Sequence, residues 1–76
     1  MQSNEWIRTP VKSSAIDSVA YCAYAKVLEI RFRSGEVYCY REVPERTYRD
    51  LLSAESMGTF FNRFVKNGFA FARTSP

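Results

Sequence analysis

The sequence predicts an α+β domain: a three-stranded antiparallel meander followed by two helices packed on one face, in the order β-β-β-α-α. Three observations carry that prediction. Residues 26–43 alternate with period two on either side of Ser34-Gly35, a β-branched and aromatic run precedes them, and after Pro44 the apolar spacing changes to three and four.

The hairpin at 26–43 is the organising element. A two-residue loop at Ser34-Gly35 uses the glycine where the backbone needs positive φ. It sets Arg33 opposite Glu36, Phe32 opposite Val37, Arg31 opposite Tyr38, Ile30 opposite Cys39 and Glu29 opposite Tyr40. Leu28, Ile30, Phe32, Val37 and Cys39 then form a core face. Glu29, Arg31, Arg33, Glu36, Tyr38, Tyr40 and Glu42 form a wet or binding face. Ahead of the hairpin, residues 15–22 read as the first strand. A tight connection at 23–25 pairs it antiparallel with the next, Val19 and Tyr21 opposite Ile30 and Leu28.

Val43-Pro44 ends the sheet, because proline cannot donate to a ladder and suits the first turn of a helix. Tyr48, Leu51 and Leu52 make an amphipathic stripe over a helix that ends near residues 54–55. Ser56 can cap a second helix, in which Phe60, Phe61, Phe64 and Val65 point inward until Asn67-Gly68 stops it. Residues 69–71 are an apolar coda docked on the sheet edge. Residues 1–12 read as a loosely ordered lead-in in which Trp6 can fold back onto the body, 13–71 as one domain, and 72–76 as a frayed end.

Seventy-six residues, 46% of them hydrophobic, suit one small globular domain, with six Phe, five Tyr and one Trp to fill its core. The net charge of +3 leans towards polyanionic partners. With no histidine there is no Ser-His or Cys-His pair, and no close carboxylate pair or phosphate-cradling glycine loop appears, so the chain reads as non-catalytic. Cys22 and Cys39 lack zinc-site spacing; no metal and no cofactor are expected, and the thiols read as reduced, with Cys39 in the core. No apolar run approaches the roughly 20 residues of a membrane span, which points to a cytoplasmic protein with no membrane partner.

Arg31, Arg33, Tyr38 and Tyr40 are the candidate binding residues. Two tyrosines two apart on a strand present parallel rings, and flanking arginines hold phosphate, the combination used by platforms for RNA or single-stranded nucleic acid. The rival is a protein-interaction module, self-association included, on the same aromatic face. Plain cross-strand packing is the structural alternative, and cover by the N-terminal segment through Trp6 would remove both functions. Arg63, Lys66 and Arg73, beyond the last acid at Glu55, form a second basic patch whose structural role would be to complement a helix dipole. Asn62 reads as a structural capping residue.

Taken together, Val11-x-Ser13-Ser14-x-Ile16, Ser34-Gly35-x-Val37-Tyr38-x-Tyr40, Val43-Pro44, Tyr48-x-x-Leu51-Leu52, Ala54-x-Ser56-x-Gly58 and Phe61-Asn62 resemble the KTSC domain. That family is named for its place at the C-terminus of some lysyl-tRNA synthetases and also occurs as free-standing small bacterial proteins. The resemblance implies a bacterial module of unestablished activity, with RNA binding suggested by the fusion, and it singles out Tyr38 and Tyr40 as the family's recurrent Tyr-x-Tyr. Two departures stand out. Ala20-Tyr21-Cys22 replaces a more usual Gly-Tyr-Asp, and Met57 stands where a basic residue is common.

Overall fold

Residues 6–74 are described by a computed structural model. Its frame is an antiparallel sheet of five strands in the order β1-β2-β3-β4-β5: Ile7–Pro10, Ile16–Cys22, Val27–Phe32, Val37–Tyr40 and Phe71–Arg73. Helices α1 (Glu45–Ser53) and α2 (Met57–Phe60) lie between β4 and β5 in the chain, and α2 runs directly into a π-helical turn, Phe61–Val65. The α+β class stands. The three-stranded meander is its centre, β2-β3-β4, to which each end of the described chain adds a strand.

Both additions correct the expected termini. Ile7–Pro10, expected as a lead-in, pairs with β2 from Ile7↔Tyr21 to Pro10↔Ser18, and Trp6 before it is exposed. Phe71 docks on the sheet edge as expected for residues 69–71, but as part of a strand, Phe71–Arg73, that also takes in residues expected to fray and pairs with β4 through Tyr38↔Arg73, Cys39↔Ala72 and Tyr40↔Phe71. Neither segment is long enough to show a period. The unpaired N–H and C=O groups along the edges of a three-stranded sheet make them strands. Residues 1–5 of the expected lead-in and 75–76 of the expected frayed end lie outside the described residues.

Strands β2 and β3 pair as expected, Val19↔Ile30 and Tyr21↔Leu28. The β3–β4 register does not. Leu28 faces Tyr40, Glu29 faces Cys39, Ile30 faces Tyr38 and Arg31 faces Val37, one residue away from the predicted pairing. The cause is the loop. A two-residue I′ turn would force Ser34 to positive φ, and a II′ turn would need glycine first. The chain instead uses Arg33, Ser34 and Gly35, with Gly35 N–H donating to Phe32 O at 2.9 Å and Gly35 alone at φ +100°. Because the strand period is two, that slip carries β4 over. Tyr38 and Tyr40 join Leu28, Ile30 and Phe32 on the core face, while Val37 and Cys39 go to the back.

The core joins the front of the sheet to the helices: Val19, Tyr21, Leu28, Ile30 and Tyr40 pack with Val43, Tyr48, Leu51, Met57, Phe61 and Val65. Tyr21 and Tyr48 stack at 4.7 Å and 10°, and Tyr21 Oη donates to Val43 O at 2.6 Å. Ser56 caps α2 as predicted, its Oγ accepting from Thr59 N–H. In the π turn Lys66 N–H reaches Phe61 O, five residues back, and this widened turn buries Phe61 and Val65 but leaves Phe64 56% exposed. The expected inward Phe60/Phe61/Phe64 stripe is therefore broken, with Phe60 only half-buried against Phe64. Leu52 likewise sits at the rim of the α1 stripe rather than inside it.

The back of the sheet carries no helix-derived core. Ala20 and Cys22 are buried there but stand apart from the main cluster. Arg8 spans Ala20, donating to Ser18 Oγ at 3.2 Å on one side and pairing with Glu29 on the other. Cys39 also lies on this side, not in the core as expected; both thiols are reduced. Burial, with Glu29 nearby, pushes the Cys39 thiol up. Among the described residues no group of three or more His, Cys, Asp or Glu could hold a metal ion. No helix there is long and apolar enough to cross a membrane.

Where the chain leaves β4, Glu42 adopts φ 57° and lets Val43 N–H reach Lys26 O at 2.8 Å. A left-handed conformation costs an ordinary L-residue about 1–2 kcal/mol, partly offset by glycine's greater freedom when unfolded. Glu42→Gly is therefore expected to raise stability by about 0.5–1 kcal/mol, read as a higher urea midpoint at unchanged slope.

Candidate functional site

The helices stop short of one end of the front face. There the sheet opens into a cleft of about 590 Å³. Its floor and walls are aromatic: Phe32, Tyr38, Tyr40, Phe61 and Phe71. Phe32 meets Tyr38 and Phe61 edge-on at 5.8 and 5.4 Å, Tyr40 meets Phe61 edge-on at 5.5 Å, and Phe71 tilts against Tyr38 and Tyr40 at 5.6 and 5.4 Å. Each ring locks the next. Tyr40 is the floor, only 3% exposed, Tyr38 is half-buried, and Phe71 on the edge strand is 51% exposed, offering a ring to anything that enters.

The rim is polar. Ser14, Arg33, Ser34 and Glu36 come from the sheet side, and Asn62, Lys66 and Asn67 from the π turn and the loop after it. Arg33 is anchored, its Nε donating to Ser13 O at 2.6 Å with a guanidinium nitrogen 3.9 Å from Asp17. Among the described residues Glu36 is the one acid in the lining, and Arg73 lies 3.5 Å from its carboxylate. Lys66 takes part in no ion pair among the described residues, so the rim presents positive charge. Burial first, and Tyr38 second, push the Tyr40 phenol up to about 12, so it is neutral at any ordinary pH.

Of the candidate residues, Arg33, Tyr38 and Tyr40 come together in this cleft and Arg31 does not: it is exposed on the back of the sheet, facing Ser18 and Val37. The predicted exposed Tyr-x-Tyr face is corrected by the loop register. Tyr40 is core, and only Tyr38 borders solvent. The second patch divides as well. Lys66 joins the cleft, Arg73 pairs with Glu36, and Arg63 is exposed outside the lining. Sequence reasoning missed Phe32, Phe71, Asn62 and Asn67. Asn62, taken as a cap, lines the cleft, and the π turn that carries it there left no mark in the periodicity.

A small α+β module with an open aromatic cleft on one sheet face is thus the class of protein the fold defines. Residues 12–69 match the family model of the KTSC domain, and the chain belongs to that family. It is similar to a KTSC domain protein of Yersinia pestis whose crystal structure superposes with a TM-score of 0.89 at 38% identity, covering 93% of this chain and 100% of that one. A protein of Tsukamurella paurometabola is 47% identical over 60 residues, 79% of this chain and 90% of its own length. A lysine–tRNA ligase of Nostoc punctiforme is 39% identical over 64 residues, 84% of this chain and 11% of the ligase.

Proposed function

We propose that this domain binds single-stranded RNA by seating an unpaired base in the aromatic cleft, with the adjoining phosphate held by Lys66 and Arg33. One observation carries the reading: a cleft of about 590 Å³ walled by Tyr38 and Phe71 and rimmed by those two cations. That size suits a nucleotide-sized ligand. Stacking of a base on an aromatic side chain is worth about 1–3 kcal/mol and tolerates any base, while a rim cation adds phosphate attraction. Asn62 and Asn67 offer donors and acceptors for a base edge. A related segment in a lysine–tRNA ligase, a protein named for its action on tRNA, points the same way. On this reading the domain is a non-catalytic, cytoplasmic, bacterial binding module.

The test is a titration of the isotope-labelled protein with a short oligouridylate at low and moderate salt. Amide and side-chain shifts are expected at Tyr38, Asn62, Lys66 and Phe71, with affinity falling as salt rises. Lys66→Ala should lower the salt slope by about 0.7, the value of one single-strand phosphate contact. Shifts confined to the back face around Arg31, or none, would discard the reading. Salt-insensitive self-association through the cleft would assign it to a protein partner instead.

A further inference from the structure

Glu36 is an acid in a cleft whose proposed ligand is an anion, and the fold gives it a definite place. It stands just ahead of β4 and two residues before Tyr38, so strand alternation puts its side chain on the face that carries the tyrosine rings. Two rises of about 3.3 Å separate the two positions. The carboxylate therefore lies beside the Tyr38 ring, within reach of the edge of a base stacked there.

Its oxygens are held but not used up. Ser34 Oγ donates to Oε1 at 3.4 Å and an Arg73 guanidinium nitrogen lies 3.5 Å from Oε2, one partner on each oxygen and neither at close range. A carboxylate has about four lone-pair sites and no donor. With its side chain 42% exposed, Glu36 offers the cleft two adjacent acceptors steadied by Ser34 and Arg73. Arg73 also offsets its charge, which leaves Arg33 and Lys66 to attract a phosphate.

Two adjacent acceptors choose among the bases by elimination. On the Watson–Crick edge of guanine, N1–H and the N2 amino group are neighbouring donors. Adenine and cytosine set an amino group beside an acceptor nitrogen, and uracil sets one N–H between two carbonyl oxygens, so each turns a lone pair against the carboxylate. Resting on the RNA reading above, we infer that the aromatic cleft selects guanine, whose N1–H and N2 amino group both donate to Glu36 while the ring stacks on Tyr38 or Phe71. Stacking alone tolerates any base. Glu36 makes the choice.

Fluorescence anisotropy compares pentauridylate with the same strand carrying guanosine, inosine, adenosine or cytidine at its centre, on the parent protein and on Glu36→Gln. The guanosine strand should bind the parent at least about tenfold more tightly than any other, the scale of one two-point base contact. Inosine, which lacks only the N2 amino group of guanosine, should fall back towards the rest. In Glu36→Gln the guanosine gain should vanish, because the amide turns an N–H group against the guanine donors. Its melting temperature should stay near the parent's, since an exposed ion pair adds little. The inosine comparison needs no variant, so it decides even if Glu36→Gln melts lower. A parent that binds all the strands alike, prefers another base or holds inosine as tightly as guanosine would overturn the selectivity and leave the stacking cleft standing. A guanosine gain that survives in folded Glu36→Gln would do the same. A parent that binds none of the strands would overturn the RNA reading and this inference with it.

Discussion

Tyr40→Ala is expected to remove a large share of the domain's stability, whereas Tyr38→Ala, two residues away on the same strand, is expected to stay close to parent stability and to weaken the proposed RNA binding. Tyr40 faces Leu28 across the strands, packs edge-on against Phe61 and supports Phe71. Truncating a buried aromatic to alanine costs about 3–5 kcal/mol. At roughly 0.05–0.15 kcal/mol per residue, a chain of 76 residues has about 4–11 kcal/mol in total, so the loss takes a large share or all of it. Tyr38 is only half-buried, and its neighbour Phe32 keeps a second ring partner in Phe61. Urea unfolding followed by circular dichroism separates the two variants. If Tyr40→Ala lost less than about 1 kcal/mol, Tyr40 would not be the floor of the cleft and the β3–β4 register would be wrong.

Raising the pH from 9 to 12 should destabilise the parent protein more than Tyr40→Phe. The unfolded chain releases the Tyr40 proton near the ordinary value of 10, but in the fold burial holds that proton to about 12. Between those values the folded state binds more protons than the unfolded state, so stability falls as pH rises. The contribution is complete below pH 10 and gone above 12. A difference of this size corresponds to on the order of 2 kcal/mol. Tyr21, raised by burial and then by Glu45 and Cys22, acts in the same direction and is present in both proteins, so it cancels in the comparison. The measurement is the urea midpoint at pH steps across this window, and identical pH curves for the two proteins would contradict the burial of the phenol.

Residues whose partners lie close in sequence were legible without a structure. The alternation of 16–22 and 27–32, a short connection and Pro44 were enough for the β2–β3 pairing, the start of α1 and the Ser56 cap, because each depends on local geometry and on which side chains avoid water. The family resemblance drew on the same residues, and Ser14, Tyr38, Tyr40, Phe61 and Asn62 from its motifs do line one cleft. The β3–β4 register was less accessible. It turned on whether one glycine ends a two-residue or a three-residue loop, a difference of one backbone conformation that inverts a whole strand.

The class of fold, the central strands, both helix starts and the aromatic stock from which a site could be built are legible in the residues alone. Which aromatics face solvent was settled only by tertiary packing. It turned Tyr40 inward and Arg31 to the back, drew Ile7–Pro10 and Phe71–Arg73 onto the sheet edges, and used a π turn to bring Asn62 and Lys66 to the rim beside Arg33. The reason is physical. An edge strand exists because its neighbour has unpaired backbone groups, and a cleft exists where two packed layers fail to cover each other, so neither is written in the spacing of the residues that form it.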